Sequence, residues 1–362
     1  MGLRALRWVM LPVWIGQVFS SEKSFHRNPI LGDEKLNRRG LHVWRGRLAR
    51  RMTEMRRRRL AHRVSAEDRA QFERDGFVLK RDFAPPDLFP ALVEEVEAFA
   101  SAAREFKEGD AITRRIALTP ENLKKLPACR RLLQLPEWKG LTRYVSSYDA
   151  EPIVFIQTIF SKTDEQSRID PQTRLHMDTF HPTMKAWLFL HPVEEADGPF
   201  TYSRGSHIRN ARREAWERQQ ALKACDKSSR KKGGAFRSTK TELRRMGYPK
   251  AEKFAVPANT FVVADTYGFH ARGISERPSA RVEIWAYSRR SPFVPWTGLD
   301  LGSIPPLRHR QAVIAWWFME LRQKLGRATP RWRHAGVTLP GAPPQPWPEP
   351  SQDLGLAPDT GS

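Results

Sequence analysis

A series of short β-type segments between Pro152 and Ser288 constrains the fold more than any other feature of the sequence. The segments are rich in aromatic and β-branched residues, and turn residues separate them, as in an antiparallel sheet. Few helical patterns interrupt the series, so the chain is predicted to be mainly β with flanking helices, with a sandwich or jelly-roll core. The segments are EPIVFIQTIFSK, RLHMDTFH, MKAWLFLHPV, GPFTYS, KFAVPANTFVVAD and ARVEIWAYS.

Helix signals and composition divide the rest of the chain. Ser65 and Asp68 have the spacing of a helix N-cap, which predicts that the main domain begins at residue 65. An amphipathic helix pattern with Leu88, Leu92, Val96, Phe99 and Ala103 on one stripe follows, and a second covers 307–327, for which core packing is expected. The predicted organisation is an N-terminal module (1–64), a main domain (65–295) with a basic insertion (209–250), a C-terminal helical region (296–335) and a disordered Pro-rich tail (336–362).

The 362-residue chain has a net charge of +22, and most of this charge is concentrated in two segments. Residues 1–64 contain 16 Lys and Arg against 4 Asp and Glu, and residues 204–253 contain 16 against 5. Such segments favour an anionic partner, which can be nucleic acid, anionic lipid or a phosphorylated substrate, although a solvated surface has the same composition. Trp8 and Trp14 lie near N-terminal arginines, which favours a membrane-surface anchor over nucleic-acid contact or packing helices.

Composition excludes two classes of protein. The two cysteines, Cys129 and Cys225, are too few for a disulfide framework or a cysteine-built zinc site. No apolar run reaches the roughly 20 residues of a membrane-spanning helix. The expectation is therefore a reduced, cytoplasmic setting with peripheral contact to the inner face of a membrane.

The stretch RLHMDTFHP (174–182) contains His176 and Asp178 two positions apart. On a strand, such residues point to the same side and can bind one metal ion. Two histidines and one carboxylate hold non-haem Fe(II) and leave positions open for a co-substrate and oxygen. His270, 92 residues after Asp178 and just after an apolar strand, is the predicted third ligand. An H-x-D pattern alone occurs by chance in many proteins, so an ordinary polar strand face is the alternative at this point.

Arg281 follows eleven residues after His270, among the apolar neighbours Val282, Ile284 and Trp285. A charge on an inner strand is costly unless an anion accompanies it. A guanidinium binds a carboxylate through two parallel hydrogen bonds. We therefore expect 2-oxoglutarate, a 2-oxo acid with a distant carboxylate, to bind the metal at one end and Arg281 at the other.

Together these residues resemble the phytanoyl-CoA dioxygenase-like branch of the Fe(II)/2-oxoglutarate oxygenases, over roughly residues 65–290. The resemblance implies a double-stranded β-helix, a cupin-like jelly roll, with Fe(II) held by His176, Asp178 and His270. It also implies 2-oxoglutarate bound by Arg281 with help from Gln157, and O2 as the second co-substrate. The elements that carry it are AEDRAQFERDGFVLKRDF, Gln157, LHMD, KAWLFLHPVEEADGPFTYSRGSH and FHARGISERPSAR.

Several positions refine this expectation. Halogenating relatives lack the carboxylate, so Asp178 favours hydroxylation or a related oxidation. Many family members have Ser or Thr two residues after the distal histidine, where this chain has Arg272, which can contact the co-substrate or face the substrate. His181 is expected to face away from the metal, and His207 and His191 are expected to be structural.

The substrate is expected to be anionic, because arginines cluster where family members place substrate-covering loops. With the Trp- and Arg-rich N-terminus, this predicts a membrane-associated molecule: a lipid, an acyl thioester or the Kdo sugar of lipopolysaccharide, which a related group of oxygenases hydroxylates. The alternative is a catalytically inactive jelly roll that binds anionic membrane or nucleic acid through its basic segments. The arginines concerned are Arg204, Arg209, Arg212 and Arg213.

Overall fold

Two antiparallel β-sheets and their flanking helices make up the structure, a computed structural model that describes residues 3–163, 168–228, 233–288, 290–298, 304, 307, 309–326 and 331–347. In chain order the strands are β1 (Phe77–Lys80), β2 (Ser101–Glu108), β3 (Ala111–Ala117), β4 (Ile153–Ser161), β5 (Met184–Phe189), β6 (Phe200–Tyr202), β7 (Glu252–Lys253), β8 (Thr260–Asp265), β9 (His270–Arg272), β10 (Ser279–Ser288) and β11 (Arg333–Thr338). The helices are α1 (Leu3–Val18), α2 (Glu34–Arg38), α3 (Leu41–Leu60), α4 (Ala66–Asp75), α5 (Phe89–Glu97), α6 (Pro120–Lys125), α7 (Pro127–Gln134), α8 (Pro136–Ser146), α9 (Ala211–Cys225), α10 (Lys240–Arg245) and α11 (Gln311–Lys324).

The large sheet has eight strands in the order β1-β8-β5-β10-β4-β3-β2-β11, and the small sheet has the order β7-β6-β9. Every strand pairing is antiparallel. Strands distant in sequence, such as β5 and β10, are neighbours, as expected for a jelly roll rather than a simple meander. The predicted fold class, mainly β with flanking helices, is confirmed.

Alternating side chains along the strands divide the core into two layers. On β8, Phe261 and Val263 belong to the layer beneath the helices, whereas Val262 and Ala264 face the small sheet. Successive side chains of a strand point to opposite faces, so a strand covered on both sides reads as a continuous apolar run. The run TFVVAD has this character, and all six of its residues are buried.

The helix start predicted at Ser65 is present in the structure. The Ser65 hydroxyl accepts a hydrogen bond from the Asp68 amide at 3.0 Å and caps α4. Gly76 ends that helix with φ +86°, in the left-handed region that favours glycine. The stripe predicted after Pro86 is correct for α5, but Ala103 at its end lies on β2, because β2 pairs with both β3 and β11.

The described part of segment 1–64 packs against the main domain. The buried Arg56 of α3 donates to the carbonyl oxygens of Ser147 at 3.1 Å and Pro292 at 3.4 Å. Arg57 forms an ion pair with the buried Asp265 on β8 at 3.0 Å. Two arginines of the basic run 56–59 therefore make structural contacts, and the domain boundary at residue 65 stays a prediction.

The basic insertion forms a third hydrophobic cluster together with Phe25. Trp216 of α9 and Phe236 pack with Met177 and Phe269, each of which lies next to a predicted metal ligand. The insertion is therefore a structural layer behind the H-x-D segment over its described residues. Residues 229–232, in the stretch of low apolar content, lie outside the described residues.

A buried ion network fastens this insertion to the main domain. Glu217 accepts a hydrogen bond from the Arg213 Nε at 3.0 Å and another from the Tyr267 hydroxyl at 2.6 Å. Its other oxygen is paired with Arg209, and the Glu217 and Arg213 side chains are fully buried. Burial alone would raise the pKa of Glu217, but Arg209 and Arg213 lower it to about 2.

Internal partners correct the interpretation of three insertion arginines, Arg204, Arg209 and Arg213, as substrate contacts. Arg209 and Arg213 neutralise Glu217, and Arg204 is paired with Asp75 and Glu252 at 2.9 Å each. A count of charges along the sequence does not reveal such internal partners, which only the folded chain brings together.

The C-terminal part departs from two predictions. Buried Arg114 donates to the carbonyl oxygens of Leu339 at 2.9 Å and Pro340 at 3.2 Å, so the beginning of the predicted disordered tail is held against β3. Residues 348–362 lie outside the described residues. On α11, Trp316 packs against Phe155, but most of the apolar stripe predicted to enter the core is exposed. The exposed residues are Val313, Trp317, Phe318 and Leu321.

Replacing Glu217 by Gln should destabilise the protein strongly. The change leaves two buried guanidinium groups without their counter-charge, and breaking a buried pair in this way costs about 3 to 5 kcal/mol. Urea denaturation measures the free energy of unfolding. Glu34→Gln is the matched control, because it removes an exposed pair with Arg38 and should cost less than about 1 kcal/mol. Equal effects of the two substitutions would contradict a structural role for the network.

Candidate active site

The H-x-D segment and the distal histidine are joined by a backbone bridge. The His176 amide donates to the His270 carbonyl at 2.9 Å, and the His270 amide donates to the His176 carbonyl at 3.0 Å. The Asp178 amide donates to the carbonyl of Thr266 at 3.0 Å. The segment is not the regular strand that was predicted, and His176 forms only isolated bridges, to His270 and to Arg237. These contacts bring together side chains that lie far apart in the sequence.

Both histidine rings are oriented with one nitrogen toward the backbone and the other toward Asp178. The Nδ1 atoms bond to the carbonyls of Arg174 at 2.8 Å and Gly268 at 2.9 Å, so each Nδ1 carries the proton and each Nε2 its lone pair. The Nε2 atoms of His176 and His270 lie 3.8 and 3.6 Å from Asp178 Oδ1.

This donor set fits a divalent metal ion. One ligand atom from each of His176, Asp178 and His270 lies within 4.8 Å of the other two. The His270 Nε2 is buried and has no hydrogen-bond partner among the described residues. Burial lowers the pKa of His176 to about 3, which keeps its imidazole neutral, the form that binds metal. Two histidines and one carboxylate on one side of a site match the Fe(II) facial triad.

Two lysines contact Asp178. Lys185 Nζ on β5 lies 2.8 Å from Oδ2 and 3.0 Å from Oδ1, and Lys23 Nζ donates to the Asp178 carbonyl at 3.0 Å. Burial alone would raise the pKa of Asp178, but the charge of Lys185 holds it well below its usual value. Asp178 is therefore an ionised carboxylate.

A polar row crosses three neighbouring strands beside this triad. Arg281 Nε donates to Glu283 Oε2 at 3.1 Å, and Arg281 also donates to the Gly198 carbonyl at 3.1 Å. Gln157 donates to Glu283 Oε1 at 2.7 Å and accepts a hydrogen bond from Arg115 Nε at 2.8 Å. The charge of Arg281 thus has an internal partner, and the sequence argument that it needs an external anion is not sufficient by itself.

The triad and the polar row line one cavity of about 340 Å³, a volume typical of a site for a small molecule. Aromatic side chains from both sheets and from the C-terminal segment form much of its wall. The cavity also contains more cationic than anionic side chains. The aromatic residues are Phe106, Trp187, Phe200, Trp285, Tyr287 and Trp332; the cationic residues are Lys23, Arg115, Lys185, Arg237, Arg272 and Arg281; the anionic residues are Glu108, Asp178 and Glu283.

The remaining sequence-derived candidates occupy different places. Arg272 lines the cavity and forms an ion pair with Asp170 at 2.7 Å. His181 is buried outside the cavity lining, with its Nδ1 2.9 Å from the Pro182 carbonyl. His207 packs against Phe72, outside the lining, with a ring-centroid distance of 5.5 Å. His191 lies at the surface, 2.8 Å from Glu97.

Sequence reasoning missed several residues of the cavity. Lys185 and Glu283 lie in the apolar strands MKAWLFL and ARVEIWAYS and line the cavity. Arg281 was identified because it is a charged residue within an inner strand, and the same criterion would have identified Lys185 and Glu283. Lys23 and Arg237 come from the two basic segments, where no local signal separates a cavity residue from a surface charge.

Comparison with known proteins supports the predicted family. The family model described as phytanoyl-CoA dioxygenase matches residues 72–245, which include His176 and Asp178 and end before His270 and Arg281. No curated protein matches the chain.

Solved structures show only distant likeness. The chain is similar to the epimerase SnoN in complex with Fe3+, alpha ketoglutarate and nogalamycin RO, with 18% identity over 65% of this chain and 91% of that chain, and a TM-score of 0.41. It is also similar to HygX from Streptomyces hygroscopicus with nickel and 2-oxoglutarate bound, with 17% identity over 68% of this chain and 94% of that chain, and a TM-score of 0.38. Residues 72–245 therefore match the phytanoyl-CoA dioxygenase family, the family that the sequence resembled.

Proposed function

We propose that this chain is a dioxygenase that hydroxylates an unactivated C–H bond of an anionic, membrane-associated substrate, using Fe(II), 2-oxoglutarate and O2. One observation carries the proposal: two histidines and an ionised carboxylate converge in a cavity large enough for a small molecule. His176, Asp178 and His270 are the proposed metal ligands. When bound, iron and 2-oxoglutarate supply oxidative decarboxylation coupled to O2 reduction, the source of the oxidising power.

The protein orients the ligands and excludes water. The carbonyls of Arg174 and Gly268 fix both imidazole tautomers. Lys185 holds the Asp178 carboxylate in place by contacting both of its oxygens. Aromatic walls from both sheets shield the site from bulk water. We assign the binding of the distal carboxylate of 2-oxoglutarate to Arg281. Gln157 assists by donating a hydrogen bond to Glu283, the partner of Arg281.

The charge of the cavity supports an anionic substrate. Six Lys and Arg side chains line it against three Asp and Glu among the described residues. The support comes from cavity residues, because Arg204, Arg209 and Arg213 of the insertion are paired with carboxylates outside the cavity.

The exposed face of α1 supports contact with a membrane surface. Val9, Val13 and Ile15 are exposed there, next to a strongly basic segment. None of the helices in the described part of the chain is long and apolar enough to span a bilayer. The proposed contact is therefore interfacial.

His176→Ala should abolish iron-dependent succinate formation from 2-oxoglutarate. Loss of a direct ligand should weaken Mn(II) binding by more than the roughly 10- to 100-fold that loss of an outer-shell partner costs. His181→Ala is the matched control and should retain both properties once its folding is verified by circular dichroism. A wild-type protein that neither binds 2-oxoglutarate nor forms succinate would favour the alternative, an inactive jelly roll that binds anionic membrane or nucleic acid.

Arg281→Gln should raise the KM for 2-oxoglutarate about 10- to 100-fold, since hydrogen bonds to charged groups contribute about 1.5 to 3 kcal/mol. Steady-state succinate formation measures this constant. The control is Arg277→Gln, which removes an exposed guanidinium paired with Glu194 and Asp197. An unchanged KM in Arg281→Gln would refute the assignment.

The double substitution Val9→Asp and Val13→Asp should reduce sedimentation with phosphatidylglycerol vesicles about tenfold or more, because each buried valine contributes about 1.5 kcal/mol or more. Ile169→Asp changes an exposed apolar residue elsewhere and should have little effect. If the double variant sediments like the wild type, α1 is not the contact surface.

A further inference from the structure

Arg237 differs from the other cations that line the cavity. The guanidinium of Arg237 forms no hydrogen bond or ion pair with any residue that the structure describes, and its Nε is buried. Each of the other five cations has a hydrogen-bond or ion-pair partner. These pairs are Arg281 with Glu283 at 3.1 Å, Arg115 with Gln157 at 2.8 Å, Arg272 with Asp170 at 2.7 Å, Lys185 with Asp178 at 2.8 Å, and Lys23 with the Asp178 carbonyl at 3.0 Å.

The carboxylates near Arg237 are already engaged. Glu108 and Asp170 are close enough to act on it electrostatically, but Asp170 is paired with Arg272, and Glu108 accepts a hydrogen bond from Gln172 at 3.3 Å. Burial, and then the nearby charge of Arg174, lower the pKa of Arg237. The partly buried guanidinium of Arg237 therefore lacks a hydrogen-bonded anion. A bound oxyanion would stabilise it by supplying the missing charge and hydrogen bonds.

The backbone places Arg237 beside the proposed metal ligands. Arg237 and His176 form an antiparallel bridge, and both residues line the cavity. Directly opposite residues in such a bridge have Cα atoms about 4.5 to 5.5 Å apart and point to the same side. The neighbouring Phe236 is buried in the third hydrophobic cluster, and its carbonyl accepts the Met177 amide at 3.0 Å, so this part of the insertion is firmly held.

We propose that Arg237 binds a carboxylate or phosphate group of the substrate and thereby anchors the substrate next to His176. This inference rests on the proposed function and adds the residue that recognises the anionic group. The guanidinium fork matches the two oxygens of such a group. The site is separate from the one assigned to 2-oxoglutarate, because Arg281 lies on β10 and is held by Glu283 and Gly198.

The test uses the full chain loaded with Mn(II) and saturating 2-oxoglutarate, with inorganic phosphate as the probe in isothermal titration calorimetry. Wild-type protein should bind one equivalent of phosphate, and Arg237→Gln should weaken this binding at least about tenfold, as expected for loss of a charge-assisted hydrogen bond. Arg237→Lys should fall between the two. Lys240→Gln removes an exposed charge three residues away and should change phosphate affinity less than about twofold, as expected for a distant, solvated charge.

Several outcomes would overturn the proposal. They are no phosphate binding to the loaded wild type, or equal phosphate binding to the loaded wild type and to Arg237→Gln. Phosphate that binds the protein without 2-oxoglutarate but not the loaded protein would place the probe at Arg281. Loss of 2-oxoglutarate binding in Arg237→Gln would assign Arg237 to the co-substrate instead. Failure of the wild type to bind 2-oxoglutarate with Mn(II) would instead refute the proposed function, and phosphate titration of the unloaded protein would still report on Arg237.

Discussion

Two backbone hydrogen bonds between His176 and His270 hold together segments that lie far apart in the chain, and the candidate site depends on them. With both amides and both carbonyls engaged, the two imidazole rings lie side by side at a centroid distance of 4.5 Å. Gly268 supplies the carbonyl that orients His270, and a Cβ at this position would come within 1.8 Å of the Tyr202 hydroxyl oxygen. The backbone around the site therefore allows little variation in ligand position.

The insertion supports the site from behind. Met177, between the two proposed ligands of the H-x-D segment, is fully buried against the insertion, and Arg213 donates to the Tyr267 carbonyl at 2.8 Å, close to the distal histidine. The basic insertion thus stabilises both ligand-bearing segments at once. The same segment contributes Arg237 to the cavity, so structural support and the proposed recognition of the substrate are properties of one element.

Periodicity and spacing were sufficient for much of the fold. Most of the predicted β-type segments and the cap at Ser65 depend on residues close in sequence, and the structure agrees with them. The H-x-D segment was predicted to be a strand, but it is not a regular one. Its backbone forms isolated bridges to Arg237 and His270 instead of pairing along a neighbouring strand. The apolar stripe of α11 was expected in the core, but amphipathicity indicates only that one face is apolar, not what covers it.

The sequence by itself determined the strand-rich class, the resemblance to the phytanoyl-CoA dioxygenase family and the small set of residues able to bind a metal, since these follow from local patterns and residue chemistry. Only the tertiary structure decided the partners of the charges. Arg213 is neutralised by Glu217, Arg281 by Glu283, and Arg237 by no described residue, yet all three are equivalent as letters in the sequence. The physical reason is that an ion pair requires contact within a few ångströms, and such contacts form between segments that the closing of the sheets brings together.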